Sequence, residues 1–193
     1  MSNVLFALWM GLSVGLLLLF FYAAFLNLRN RHVRNVDLGE LIPSFLPVNV
    51  DNLAGLIAAA QEPHSKEDPQ EELRRVQLTI ECLRRMTHNA ALLQRLGYSQ
   101  LHSPNQLICE LAQEMIDAGV HVRLYTFIGL VALNAWSRFR FAIGPLTRMP
   151  KIGDLEELLS SSLIPSYEQL KTKAGNLTCL KFSSLHEELV QSL

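Results

Sequence analysis

Residues 68–97 read DPQEELRRVQLTIECLRRMTHNAALLQRLG, and the spacing of their apolar side chains decides the fold class. Leu73, Val76, Ile80 and Leu83 recur at intervals of three and four, and Met86, Ala90, Leu93 and Leu96 carry the same face onward. That is the 3.6-residue period of an amphipathic helix. Asp68 stands where an N-cap belongs, Pro69 suits the first helical position, and Glu71 completes a box-like start. Gly97 is expected to end the helix. Leu78 and Leu92 fall off the narrow stripe and widen the buried face, which favours a bundle over a two-stranded coiled coil. Glu71 with Arg75 and Glu81 with Arg85 are i,i+4 pairs in the favourable order, so the arginines read as a solvated face.

A second helix is expected from Ser103-Pro104, with Gln106 placed for a capping box. Leu107, Ile108, Leu111, Met115 and Ala118 form its apolar face, and Gly119 is read as its stop. Glu110, Glu114 and Asp117 share the opposite side. Carboxylates one turn apart hold metals in some bundles, but those sites also need Glu-x-x-His motifs on facing helices, which this chain does not have. Residues 120–141, VHVRLYTFIGLVALNAWSRFRF, are the most apolar stretch outside the N-terminus. The 14 residues between Arg123 and Arg138 are uncharged; as a helix they measure roughly 21 Å, short for a membrane span. A buried central helix is preferred there over one lying on the membrane or crossing it. Short helices are expected near Asp154–Ser160, Pro165–Ala174 and Ser184–Ser192, with capping boxes at Asp154/Glu157 and Ser184/Glu187. No long alternating pattern and no convincing repeat appears, so the class is all-α.

Upstream, residues 35–50, NVDLGELIPSFLPVNV, read as a semi-rigid connector because Pro43 and Pro47 remove backbone donors and favour extended neighbours. Its Leu41, Ile42, Phe45 and Leu46 need cover from the domain or from lipid. A short helix from Asp51 to Ala60 and an exposed loop over 61–69 follow. At the N-terminus, Val4 to Leu28 carries no charged side chain. About 25 residues at 1.5 Å each give roughly 37 Å, enough to cross a hydrocarbon core of about 30 Å with tilt. No basic residue precedes the run and no A-x-A site follows Ala23-Ala24, so an uncleaved anchor is expected rather than a signal peptide. Arg29, Arg31 and Arg34 flank its C-terminal end, which places the N-terminus outside and residues 29–193 in the cytoplasm. The architecture expected is one N-terminal transmembrane helix followed by a small cytoplasmic helical bundle: 1–34 anchor with basic flank, 35–50 connector, 51–193 helical domain.

Composition narrows the function. A net charge of -1 argues against a nucleic-acid-binding surface. Cys82, Cys109 and Cys179 are far apart and read as reduced thiols. The six histidines form no HExxH or HxH pair, and there is no GxSxG, P-loop or GxGxxG. No catalytic residue, metal or cofactor is expected, though a site assembled from remote residues would leave no such signature.

Two patterns point to partners. Ala7, Gly11 and Gly15 line one face of the anchor and include a GxxxG, which lets a second transmembrane helix, from another copy or another subunit, approach closely. Arg138-Phe139-Arg140-Phe141 alternates basic and aromatic residues, a set suited to anionic lipid headgroups, or else to finishing the core and a helix C-terminus. The function expected is a membrane-anchored, non-enzymatic interaction protein, an accessory subunit or scaffold of a membrane complex. The alternatives are a membrane-tethered enzyme and a lipid-surface-binding protein.

Overall fold

The computed structural model describes residues 38–51, 53, 55, 69–143 and 157–193, all within the compact unit Val36–Leu193. Helix accounts for 90% of the interpretable residues and none is in a strand, so the described chain is all-α. The stretch Val4–Leu28, with Ala7, Gly11 and Gly15, and the flank Arg29, Arg31 and Arg34 lie outside the described residues, as do Asp68 and Asp154.

The long elements are α2 (Pro69–Gln100), α3 (Gln106–Ile143) and α4 (Ile164–Lys181); α1 (Leu38–Leu41) precedes them and α5 (His186–Ser192) closes the chain. Pro69 opens α2 as expected, since an absent N–H costs nothing in the first turn. Five residues then reverse the chain, and α3 starts later than the Ser103 capping box would place it. Asn105 is the cap: its Oδ1 accepts from the Leu107 N–H at 3.0 Å, while the Ser103 hydroxyl accepts from Asn105 N at 3.4 Å. A two-residue reach from side-chain oxygen to backbone N–H satisfies one of the orphan donors of the first turn.

Gly97 and Gly119 are not stops. Both lie inside continuous helices, so the two expected helices over 103–119 and 120–141 are one. The reason is packing. A Cβ at Gly97 would sit 2.9 Å from Ile116 Cγ1 and 3.0 Å from the Ala112 carbonyl oxygen; one at Gly119 would sit 2.4 Å from Gln94 Cγ. The missing side chains let α2 and α3 approach closely as an antiparallel hairpin, a second use of glycine beside capping. Gln94, buried there, donates from Nε2 to the Ile116 carbonyl at 3.1 Å and accepts from Arg123 Nη1 at 2.8 Å.

α4 runs alongside, parallel to α2 and antiparallel to α3. Tyr167 meets Asn89 and Lys181 meets Gln100 in rising order along α2, whereas Lys173 pairs with Glu114 of α3. The two short helices expected near Asp154–Ser160 and Pro165–Ala174 are, from residue 157 onward, one helical run, with a π-helical segment at Leu158–Leu163 leading into α4. Pro165 explains it. In an α-helix its ring would crowd the Ser161 carbonyl and its missing N–H would break the ladder; the wider turn, in which Ile164 N–H reaches back to Leu159 O, absorbs both faults. The Ser184/Glu187 box does not form: α5 begins at His186 with no side-chain cap bond.

The core is one cluster. It takes Leu83, Met86, Leu93 and Leu96 from α2, Met115, Val122 and Leu133 from α3, and Tyr167, Leu170 and Leu177 from α4. Leu92 joins it, whereas Leu78 is exposed. Most of the 38–50 segment finds its cover in this domain: Leu38, Leu41 and Phe45 are buried in the same cluster and Ile42 is partly so, whereas Leu46 stays exposed.

Candidate interaction surface

The solvent face of α3 changes character along its length. Glu110, Gln113, Glu114, Asp117, Val120, Leu124, Ile128, Val131, Ala135 and Arg138 are all exposed. At 100° per residue, Asp117, Val120, Leu124, Ile128, Val131, Ala135 and Arg138 share a sector of about 80°. The face is acidic for its first three turns, apolar from Val120 to Ala135, and basic at Arg138. Val120, Leu124, Ile128 and Val131 leave 43%, 41%, 38% and 53% of their surface open. The opposite face carries Val122, Thr126, Gly129 and Leu133, all buried against the bundle. A lone exposed aliphatic residue is ordinary, whereas a run at helical spacing forms a continuous apolar strip on the surface. Closing the open half of each side chain is worth about 1 kcal/mol per residue.

Residues 120–138 therefore do not form a wholly buried helix. They are the second half of a bundle helix with one face in the core and the other uncovered. By length and composition Gln106–Ala135 is also the one segment among the described residues that is apolar enough to cross a membrane. The sequence from Ala118 to Gly153 contains no acidic residue and five basic ones, Arg123, Arg138, Arg140, Arg148 and Lys151. Of the four residues expected to dock on lipid, Arg138 is exposed at the end of this face; Phe139, Arg140 and Phe141 continue α3, and their side chains lie outside the described set.

A second feature holds the 38–50 segment down. Asn89, fully buried on α2, uses its side-chain amide as a strand uses its backbone: Oδ1 accepts from Leu46 N–H at 2.9 Å and Nδ2 donates to Leu46 O at 2.8 Å. The second Nδ2 hydrogen goes to the Tyr167 hydroxyl at 3.0 Å. His88 Nε2 donates to the Ser44 carbonyl at 2.9 Å, and Arg85, paired with Glu81 at 3.1 Å, reaches the Pro47 carbonyl at 3.3 Å. Proline and extended backbone leave these carbonyls without helical partners, and α2 supplies the donors. Burial pushes the Tyr167 phenol up to about 12 and raises the Cys82 thiol, since both lose water around their charged forms. Nothing in residues 35–50 or 85–89 announced this seat: a lone asparagine within a helical pattern reads as a weak helix former.

Chemistry-bearing side chains are dispersed. His121 stacks on Tyr125 at 6.3 Å between ring centroids, and His186 Nδ1 meets the Thr178 hydroxyl at 3.2 Å. Among the described residues no three His, Cys, Asp or Glu side chains gather in metal-binding geometry. Cys82, Cys109 and Cys179 are free thiols; Cys109 Sγ lies 3.1 Å from the Leu101 carbonyl. An open cleft of about 500 Å³ lies between residues 48–51 and α4, with Asp51, Glu168 and Lys171 at its edge. Glu168 and Lys171 pair across one turn at 3.4 Å, and the lining offers no nucleophile beside a base, the minimum for covalent catalysis. A scan of protein-family models and searches of curated proteins and of solved structures find no match to this chain.

Proposed function

We propose that this chain is a membrane-anchored, non-enzymatic interaction protein, an accessory subunit or scaffold whose helical domain offers the outer face of α3 to another helix. The observation that carries the reading is the exposed set Val120, Leu124, Ile128 and Val131 on a helix whose opposite face is already in the core. Uncovered aliphatic rows on a folded domain are the usual form of a helix-docking surface. The uncharged stretch Val4–Leu28 supports the anchor and Arg29, Arg31 and Arg34 a cytoplasmic domain; GxxxG spacing at Gly11 and Gly15, with Ala7, supports a transmembrane partner helix.

The acid-free, basic run from 118 to 153 favours a second reading, in which this face rests on anionic lipid through Arg138 and the rings that follow it. Glu110 and Asp117, exposed on the preceding turns, count against it. Photocrosslinking decides. A benzophenone side chain in place of Leu124 or Ile128 in native membranes should give discrete protein adducts, and one in place of exposed Arg84 on α2 should not. Adducts to lipid alone would move the assignment to the second reading, and no adducts at either position would sink both.

A further inference from the structure

We propose that the helix covering this face is α3 of a second copy of the same chain, packed antiparallel about a two-fold axis beside Ile128. The inference rests on the reading of the α3 face as an interaction surface and adds the identity of the partner. Its basis is the order of charge along the face. Asp117 and Arg138 bracket the apolar row, both exposed and both within the same sector of the helix. In an antiparallel pair centred between Phe127 and Ile128, Asp117 of one copy falls opposite Arg138 of the other, and the contact occurs twice by symmetry. The same centre sets Val120 against Ala135 and Leu124 against Val131, larger against smaller, with Ile128 meeting its own equivalent near the axis. A two-fold interface requires such self-complementarity, because one patch serves as both halves of the contact. A parallel pair would put Asp117 against Asp117 and Arg138 against Arg138, and opposed like charges select against it.

The acidic turns that make this face a poor support for anionic lipid are what complete it as half of a dimer. A contact along one helix ridge is small beside the roughly 1,600 Å² of a standard interface. Confinement of both copies to one membrane would raise their effective concentration enough for a modest contact to persist.

The test uses the full chain reconstituted in lipid vesicles, with exposed Cys179 replaced by serine to lower background. I128C should be linked to itself by a short bis-maleimide. V120C mixed with A135C should give far more cross-linked dimer than V120C alone, and L124C with V131C should behave likewise. V120C linking to itself in preference to A135C would mean a parallel arrangement and would overturn the register. D117R and R138E should each weaken dimerisation by about tenfold, and the double exchange D117R/R138E should restore it; failure of that restoration would also overturn the proposal. These positions are exposed, so helicity and melting temperature should stay at wild-type values and serve as the folding control. If I128C forms no self-linked dimer while photocrosslinks from Leu124 and Ile128 positions still capture other proteins, the second copy is wrong and the interaction surface stands. Loss of both signals removes the surface as well.

Discussion

Asn89 shows how one side chain can do the work of a strand. Its amide closes a two-bond ring with the Leu46 backbone and keeps a hydrogen for Tyr167. Asn89→Leu keeps the branching and heavy-atom count of the side chain but removes all three bonds, leaving the part-buried Leu46 N–H and C=O and the Tyr167 hydroxyl without their partner. The expected cost is about 2–4 kcal/mol, and hydrogen exchange at the Leu46 amide should rise with it. Tyr167 makes a separate prediction. Its phenol ionises near 12 rather than its ordinary 10 because burial disfavours the phenolate. A raised folded value means that this group's contribution is complete below pH 10 and is lost as pH climbs from 10 toward 12. Wild type should therefore lose stability over that window, and Tyr167→Phe, though weaker at neutral pH for want of the Asn89 bond, should show a shallower decline in the same melts. Neither residue was legible in advance. The hydrogen bonds that give Asn89 its role span 43 and 78 positions, and no local pattern encodes them.

At the scale of the helices, glycine separates what was legible from what was not. The period of apolar residues marked α2 and the buried side of α3, including Leu83, Met86, Met115 and Ala118, because it is a local property of the chain. It was silent on whether Gly97 and Gly119 end helices or let them touch, since both uses need only the absence of Cβ. Alanine distinguishes the three helical glycines that matter here. Gly175→Ala would meet nothing nearer than His186 Cε1 at 3.7 Å, so the gain in helix propensity, about 1 kcal/mol, should appear as added stability. At Gly97 and Gly119 the same gain is outweighed by overpacking, typically about 1–3 kcal/mol. The new methyl would meet the Ala112 carbonyl in one case and would displace Gln94 from its bonds to Ile116 and Arg123 in the other. Thermal unfolding of the three variants should give one increase and two decreases. The uncovered side of α3 escaped the sequence reading for a related reason. Val120, Leu124, Ile128 and Val131 alternate with Val122, Gly129 and Leu133 around the whole helix, and a helix apolar all round does not say which side the bundle takes.

For the molecule as a whole, the expectation that follows from composition is topological. By the charge rule, Arg29, Arg31 and Arg34 after the uncharged stretch would put residues 29–193 in the cytoplasm, as the proposed function requires. A cysteine introduced at Ser65 should resist a membrane-impermeant maleimide in intact cells and react after permeabilisation; labelling of intact cells would reverse the orientation. Charge and proline content lead to an expected division into anchor, connector and bundle, of which the described residues show the helical bundle. What composition does not carry is the way the 38–50 segment enters the core through Leu38, Leu41 and Phe45. That seat has a mechanical consequence. Tension arriving along the chain from residue 37 would first have to pull three buried side chains from the bundle, then shear the paired bonds between Leu46 and Asn89. The second attachment leads through Asn89 on α2 to Tyr167 on α4. A pull entering at Leu38 is thereby passed through Asn89 to α2 and α4 together before any turn of either is loaded, so the two helices should yield as one body rather than in sequence.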